Sequence, residues 1–371
     1  MHNKSLPWLN SIVLTLANIG LALLASVIVL SLTGVDIGAA ISQIYHGAFG
    51  TQEGRGYTLY YATNFIFSGL GVALAWHAGL FNIGGEGQAT LGGLGVAIIC
   101  IQLDGLSLWL LIPTSMLFCA LFGAIWAFIP AWLNAYRSSN IVITTIMLNL
   151  IASSFLVYLL AGALKAPGQM AAVSESLSAG SALPSMQSIM AVFGYNIVNT
   201  PLNISFLWAL VCGAGLYYYL WHTKLGYETR VVGHSDESAH YAGIKSKRII
   251  IITMMISGAL IGFIGLNEVQ GNSLQLNVDF VAGFGFAGIA VALMGRNNPL
   301  GIVIASILFG ALYQGGSELA FNEESIGNNI IFLIQGLVVL FCGALQWMLR
   351  PTINYWLRPM DVVKKDKLPV R

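Results

Sequence analysis

The sequence predicts an all-α protein: a polytopic membrane helical bundle of about ten transmembrane helices in two inverted halves, with both termini cytoplasmic. Three observations carry this. Hydrophobic residues make up 57% of the 371-residue chain and charged residues only 8%, whereas soluble domains carry roughly a quarter charged residues. Apolar runs recur from Ser11 to Trp347 with short polar breaks, leaving no room for a soluble domain, so residues 1–371 read as one membrane domain. The basic residues also fall to one side once the spans are drawn.

A spanning helix needs about 20 mostly apolar residues, and the lipid core favours helices because each backbone group must be satisfied internally. Ten candidates run from Ser11 to Thr33, Tyr57 to Trp76, Gly84 to Ile101, Leu106 to Asn134, Ile141 to Leu164, Leu202 to Trp221, Ile249 to Val269, Val281 to Met294, Leu300 to Glu318 and Asn328 to Met348. The third and eighth are short for a full crossing. The first is too long for a signal-peptide core and lacks a small-x-small cleavage site before Gly34, so it reads as a retained helix.

With the amino terminus cytoplasmic, the inner connections hold Lys4, Arg137, Lys224, Arg230, Lys245, Lys247, Arg248, Arg296, Arg350, Arg358, Lys364, Lys365, Lys367 and Arg371, while Arg55 and Lys165 lie outside. Fourteen of sixteen basic residues on one side is the positive-inside pattern. A missing helix would invert every later loop, so the count also supports an even number of spans. It predicts a bacterial inner (plasma) membrane protein. The outer connection 165–201, rich in Ser, Ala, Gly and Pro, is expected to form an irregular cap or short surface helices. Residues 350–371 form a basic cytoplasmic tail.

The formal net charge of +1, with basic residues scattered among short connections, gives no nucleic-acid face. Cys100, Cys119, Cys212 and Cys342 all fall within apolar runs and read as buried packing residues rather than ligands or disulfides.

Two Gly-rich stretches resemble each other. Gly69 to Ala75 leads into a break at Ala78 to Gln88, and Gly283 to Ala290 leads into another at Gly295 to Gly301. Five spans separate them, so the copies face opposite ways, as in inverted-repeat transporters. The first break sets Asn82, Glu86 and Gln88 among glycines. These residues are candidates for a translocation pathway or gate, and equally for caps on two helix ends. In the second break, Arg296 and Asn297 sit where a helix turns and restarts, and Arg296 is also a plain positive-inside anchor.

The cytoplasmic connection 223–248 contains a short helix with clear signals. Ser235 is the N-cap, Asp236 and Glu237 complement the helix dipole, Ala239, His240 and Tyr241 follow, and Gly243 supplies the stop. Such a helix suits insertion into a groove of a cytoplasmic partner. His234 and His240 lack a third candidate ligand, so no metal is expected.

At these residues the chain resembles the permeases of bacterial ATP-binding-cassette importers for simple sugars and nucleosides, in the branch served by lipoprotein nucleoside-binding proteins. The stretch Ala78 to Gln88 is similar to the family signature after the second span, with Gly85 where many relatives carry Ala. Gly226, Gly233, Ala239 and Gly243 match the coupling loop, and Gly295 to Gly301 the late Asn-Pro turn. The resemblance implies that the Ser235 to Ala242 helix is a coupling helix docking on a separate ATPase. It also implies that a second permease chain completes the pathway and that an extracytoplasmic binding protein delivers the solute.

No Gly-Lys pair occurs, so the chain has no phosphate-binding loop, and no hydrolase motif accompanies it. It is expected to bind no cofactor, ATP being used by the partner subunit. A nucleoside is the first expected solute and a pentose or hexose the second, with Trp76, Phe81 and Phe284 as candidate stacking rings. The alternative is an ion-coupled secondary transporter using Glu86, Glu268 or Asp279; a membrane enzyme on lipid-linked substrates would need a cluster of acids or histidines that the dispersed histidines do not supply.

Overall fold

A computed structural model describes residues 37–322 and, singly, Gly336. The predicted spans Ser11 to Thr33 and Asn328 to Met348, Cys342 and the 350–371 tail lie outside the described residues. The chain divides into two compact units, Ile44–Gly315 and a second made of Met1–Gln43 with Gly316–Arg371. Of the second, the described residues are most of helix α1 (Ile37–Tyr45) and the end of the last helix.

The first unit is helical throughout its long elements. A π-helical turn, His46–Gly50, leads into α2 (Gln52–His77), which Thr51 caps by accepting from the Gly54 amide at 2.9 Å. Then follow α3 (Gly85–Gln102), α4 (Leu108–Arg137) and α5 (Ile141–Ala161). After a long connection come α6 (Met186–Val192), α7 (Ser205–His222), α8 (Lys224–His234), α9 (Asp236–Tyr241) and α10 (Ser246–Gly265). Helix α10 continues as a π-helix over Leu266–Ser273, before α11 (Phe284–Met294) and α12 (Pro299–Asn322).

Five of these segments are long and apolar enough to cross a membrane: Gln52–His77, Leu108–Arg137, Ile141–Ala161, Ser246–Ser273 and Pro299–Phe321. Their burial differs in a way the bilayer explains. In α2, 89% of the apolar window is buried, and in α4 and α5 only 28%. Helix α2 is therefore the central post, while Leu117, Leu121, Ile125, Met147 and Leu150 of α4 and α5 turn outward, as suits lipid contact. Between α3, α4 and α10 the packing relies on small residues. Gly258 lies on Gly123, and Gly262, one turn on, meets Gly92, so that an added Cβ at Gly92 or Gly258 would strike a carbonyl oxygen across the interface. Close backbone approach of this kind drives helix association where lipid removes the hydrophobic incentive.

The eighth predicted span is corrected. Helix α11 has 11 residues, about 16 Å at 1.5 Å per residue, roughly half of the ~30 Å hydrocarbon core. It starts late because Leu274, Ala282 and Gly283 all adopt positive φ, which keeps the preceding segment out of the helix. The two stretches that look alike in sequence also sit differently. Gly69 to Ala75 lies inside a long helix, whereas Gly283 to Ala290 opens a short one.

The outer connection 165–201 carries a 3-10 turn at Ala179–Ser181 and the short α6, and crosses the end of the π-helix through Leu177 N to Leu274 O (2.7 Å) and Leu183 N to Gln270 O (3.1 Å). Among the described residues, β-structure is limited to the isolated bridges Val173 with Asn277 and Ser185 with Asn203. In the connection 223–248, where one short helix is predicted, two form: α8 precedes the expected one. Cys100 and Cys119 are buried, and Cys212 only partly so.

Candidate functional site

The break after α2 is held open by its own polar side chains. Asn82 and Gln88, both about 1% exposed, face each other through two amide hydrogen bonds of 3.1 Å. Asn82 Oδ1 also accepts from the Gly84 amide at 2.9 Å, and its Nδ2 donates to Ser257 Oγ at 3.0 Å. Ser257 in turn donates to the Gly71 carbonyl at 2.7 Å. From α5, Asn149 accepts from the Gly87 amide and donates to the Ile83 carbonyl, both at 2.9 Å. In lipid every freed backbone group needs a partner, and these three amide side chains supply them.

Glu86 does something different. Its carboxylate points away from the break and accepts from the amides of Gly283 (2.9 Å to Oε1) and Gly285 (3.1 Å to Oε2). It thereby caps α11, whose first amides would otherwise lack acceptors, and places negative charge on the positive end of that helix dipole. Gly85 and Gly285 lie against each other so closely that a Cβ on Gly85 would sit 2.7 Å from the Gly285 carbonyl oxygen. The starts of α3 and α11 thus meet head to head. One turn further, Gly288 packs on Ser68, nine residues before the end of α2, which puts that contact roughly 13 Å inside that end of the bundle.

The other end of the break rests on the connection 223–248. Gly79 has φ +72°, which an L side chain adopts only with strain, and Gly233 of α8 lies against it with no room for a Cβ between Gly233 and the His77 carbonyl. The neighbouring corner is tied by His77 Nε2 to the Asn297 carbonyl at 3.0 Å, and by Arg230 stacked 4.4 Å over Trp221. A groove of about 470 Å³ opens here between Gly79, Asn134, Ser138, Gly233, Asp236 and Lys247.

Helix α9 forms as its signals direct. Ser235 Oγ accepts from the Ser238 amide at 3.2 Å, and Gly243 has φ +72°. Ala239 is fully buried against Val232 and Ile249, while Asp236, Glu237, His240 and Tyr241 are exposed, Tyr241 to 91%. The helix is anchored by one small residue and presents the rest.

Asn82, Glu86 and Gln88 are therefore neighbours, but Arg296 and Asn297 do not join them. Both occupy the left-handed region, with φ 56° and 54°; Arg296 is exposed, and Asn297 reaches the break only through His77. Trp76 and Phe81 pack on each other at 5.9 Å, apart from the buried Phe284, which contacts Phe65, Tyr61 and Tyr313. The sequence reading missed Asn149 and Ser257, although polar side chains inside apolar runs are a usable signal. Among the described residues no group of histidine, cysteine or acidic side chains is placed to hold a metal ion.

Residues 55–342 match the family described as the branched-chain amino acid transport system permease component. The chain is 30% identical to the guanosine ABC transporter permease protein of Bacillus subtilis, over 91% of this chain and 94% of that one. It is 32% identical to a glucose ABC transporter permease protein of Haloferax volcanii over 78% and 76%, and 31% identical to a nucleoside ABC transporter permease protein of Lactococcus lactis over 80% and 81%. No solved structure matches.

Proposed function

The chain belongs to the permease-component family of the branched-chain amino acid transport system, and from that premise we propose that it forms, with a second and different permease chain, the path by which a nucleoside crosses the membrane. It is a multi-pass transport subunit of an ATP-binding-cassette importer rather than an enzyme. ATP is spent by a partner ATPase, and a binding protein on the outer side delivers the solute. Support for a nucleoside over a simple sugar comes from the two nucleoside-type relatives, one of them aligned over nearly the whole chain.

In this reading residues 1–371 are one membrane domain of ten helical segments, of which α11 crosses only part of the bilayer, with both termini cytoplasmic, the charge distribution supporting that orientation. The observation that carries the mechanism is the Glu86 cap on α11. Two half-helix starts face each other inside the bundle, and the carboxylate of one holds the amides of the other. Helix α9, with Asp236, Glu237, His240 and Tyr241 exposed, docks on the ATPase. Its displacement passes through α8 to Gly233, from there to Gly79 and the break, and so to Glu86 and α11. Asn82 and Gln88 keep the break stiff, so that movement is transmitted rather than absorbed. Asn297, through His77, ties the α11 to α12 turn to the same corner, and Arg296 anchors that turn at the membrane face. Binding and hydrolysis of ATP then shift the populations of two arrangements of the break.

The test is reconstitution of the purified chain with its co-purifying subunits in proteoliposomes, followed by labelled-nucleoside uptake. ATP-dependent uptake that vanishes when the ATPase is omitted is expected. Uptake by the chain alone under an ion gradient would replace this reading with the secondary-transporter alternative.

A further inference from the structure

Away from the coupling loop, near the end of the bundle where α2 begins and the π-helix ends, lies a second polar cluster. Glu268 sits in the π-helical segment and is 8% exposed. Asn64 Nδ2 donates to Glu268 Oε1, and Asn267 Nδ2 donates to Asn64 Oδ1 at 2.9 Å. Asn203 Nδ2 and Ser205 Oγ both donate to Asn267 Oδ1, at 2.9 and 2.7 Å. Glu268 also lies beside the Tyr60 side chain, whose hydroxyl accepts from Asn272 Nδ2 at 2.8 Å.

This arrangement is costly for a purely structural role. Among the described residues the ion pair found is Lys224 with Glu228, so no described cation offsets the buried carboxylate, whose desolvation costs several kcal/mol. The π-helix is a second irregularity of a kind frequent at functional sites. A third observation shows what the cluster faces. Tyr61 and Tyr313 lie 4.4 Å apart between ring centroids, and Tyr57 is 6.3 Å from Tyr61. All three tyrosines keep part of their surface open; Tyr61 is also 5.2 Å from Tyr60, to whose hydroxyl the exposed Asn272 donates.

We propose that Tyr57, Tyr61 and Tyr313, with Asn272 at their polar edge, form a solute subsite for an uncharged ring compound bearing vicinal hydroxyls. Glu268 is its positioning residue. The tyrosine faces stack on the base or sugar ring, Asn272 bonds a ribose hydroxyl, and Glu268 holds Tyr60, which holds Asn272. This deepens the nucleoside-importer reading and rests on it.

The experiment is uptake by the full reconstituted complex with its binding protein saturated in turn by uridine and 2′-deoxyuridine, so that capture outside the membrane no longer discriminates. Wild-type uptake of uridine tests the importer reading separately. The wild type is expected to move uridine faster than 2′-deoxyuridine, and Asn272→Ala should bring the two rates within about twofold. Tyr61→Leu should slow both by about tenfold, the effect of one ring stack of ~1.4 kcal/mol. Glu268→Gln should narrow the ratio as Asn272→Ala does, with Glu268→Asp restoring part of it, a readout that mere loss of fold would not produce. Equal rates in the wild type, or an unchanged ratio in Asn272→Ala, would overturn the subsite. Uniform loss in Glu268→Gln, unrestored by Asp, would overturn the positioning role.

Discussion

Gly79 and Gly233 meet backbone to backbone: a methyl group on Gly233 would fall 2.7 Å from the Gly79 amide nitrogen. The break thus rests directly on α8, the helix that leads into α9, for which docking is proposed above. Gly233→Ala should force the two apart. Coupling carried by such a contact is worth about 0.5–2 kcal/mol, so solute moved per ATP hydrolysed should fall roughly 2- to 30-fold while hydrolysis continues. An unchanged ratio would remove this contact from the transmission path.

Glu86→Gln keeps an acceptor for α11 but removes its charge. Uptake should stop while the complex still purifies intact. Glu86→Ala also leaves the amides of Gly283 and Gly285 without their acceptor, and hydrogen bonds to a charged group contribute about 1.5–3 kcal/mol each, so its thermal unfolding should come earlier than that of Glu86→Gln. Normal uptake in Glu86→Gln would reduce the residue to a structural cap.

Asn149 satisfies the Gly87 amide and the Ile83 carbonyl from a neighbouring helix. Asn149→Leu strands both, at about 1–3 kcal/mol for each buried group. The expected result is a lower midpoint in thermal unfolding in detergent. Ser153→Ala, four residues along α5, removes only a bond to the Asn149 carbonyl within the same helix and should leave the midpoint nearly unmoved. Equal midpoints for the two variants would contradict the assigned role.

Ser235→Ala removes the side-chain cap of α9. Loss of such a cap costs about 0.5–2 kcal/mol of helix stability, which should appear as weaker retention of the ATPase on the purified permease. Ser235→Asp, which preserves the cap, should retain it. If both variants hold the ATPase like the wild type, α9 is not the docking element.

Much of this was legible in the sequence because apolar run length and helix caps are local properties. The spans of α2, α4 and α5, and the Ser235 and Gly243 signals of α9, are readable from a few consecutive residues. What was not legible depends on partners far apart in the chain. Asn149 and Ser257 stand out in sequence only as polar residues inside apolar runs, and acquire their roles when α5 and α10 are brought beside the break. The short α11 was hidden for a different reason. Val281 to Met294 is apolar enough to read as a span, whereas the positive φ angles at Ala282 and Gly283 that delay its start are imposed by tertiary context.

The contact between Gly85 and Gly285 has a kinetic consequence. Side chains between helices can yield gradually by changing rotamer, but two backbones in van der Waals contact have nothing between them to give way. In the proposed mechanism the separation of α3 from α11 is therefore a discrete event, in which both Glu86 hydrogen bonds break together. In the transport cycle proposed above, a partly opened seam loses both bonds without admitting a solute, so closed and open forms are favoured over intermediate widths.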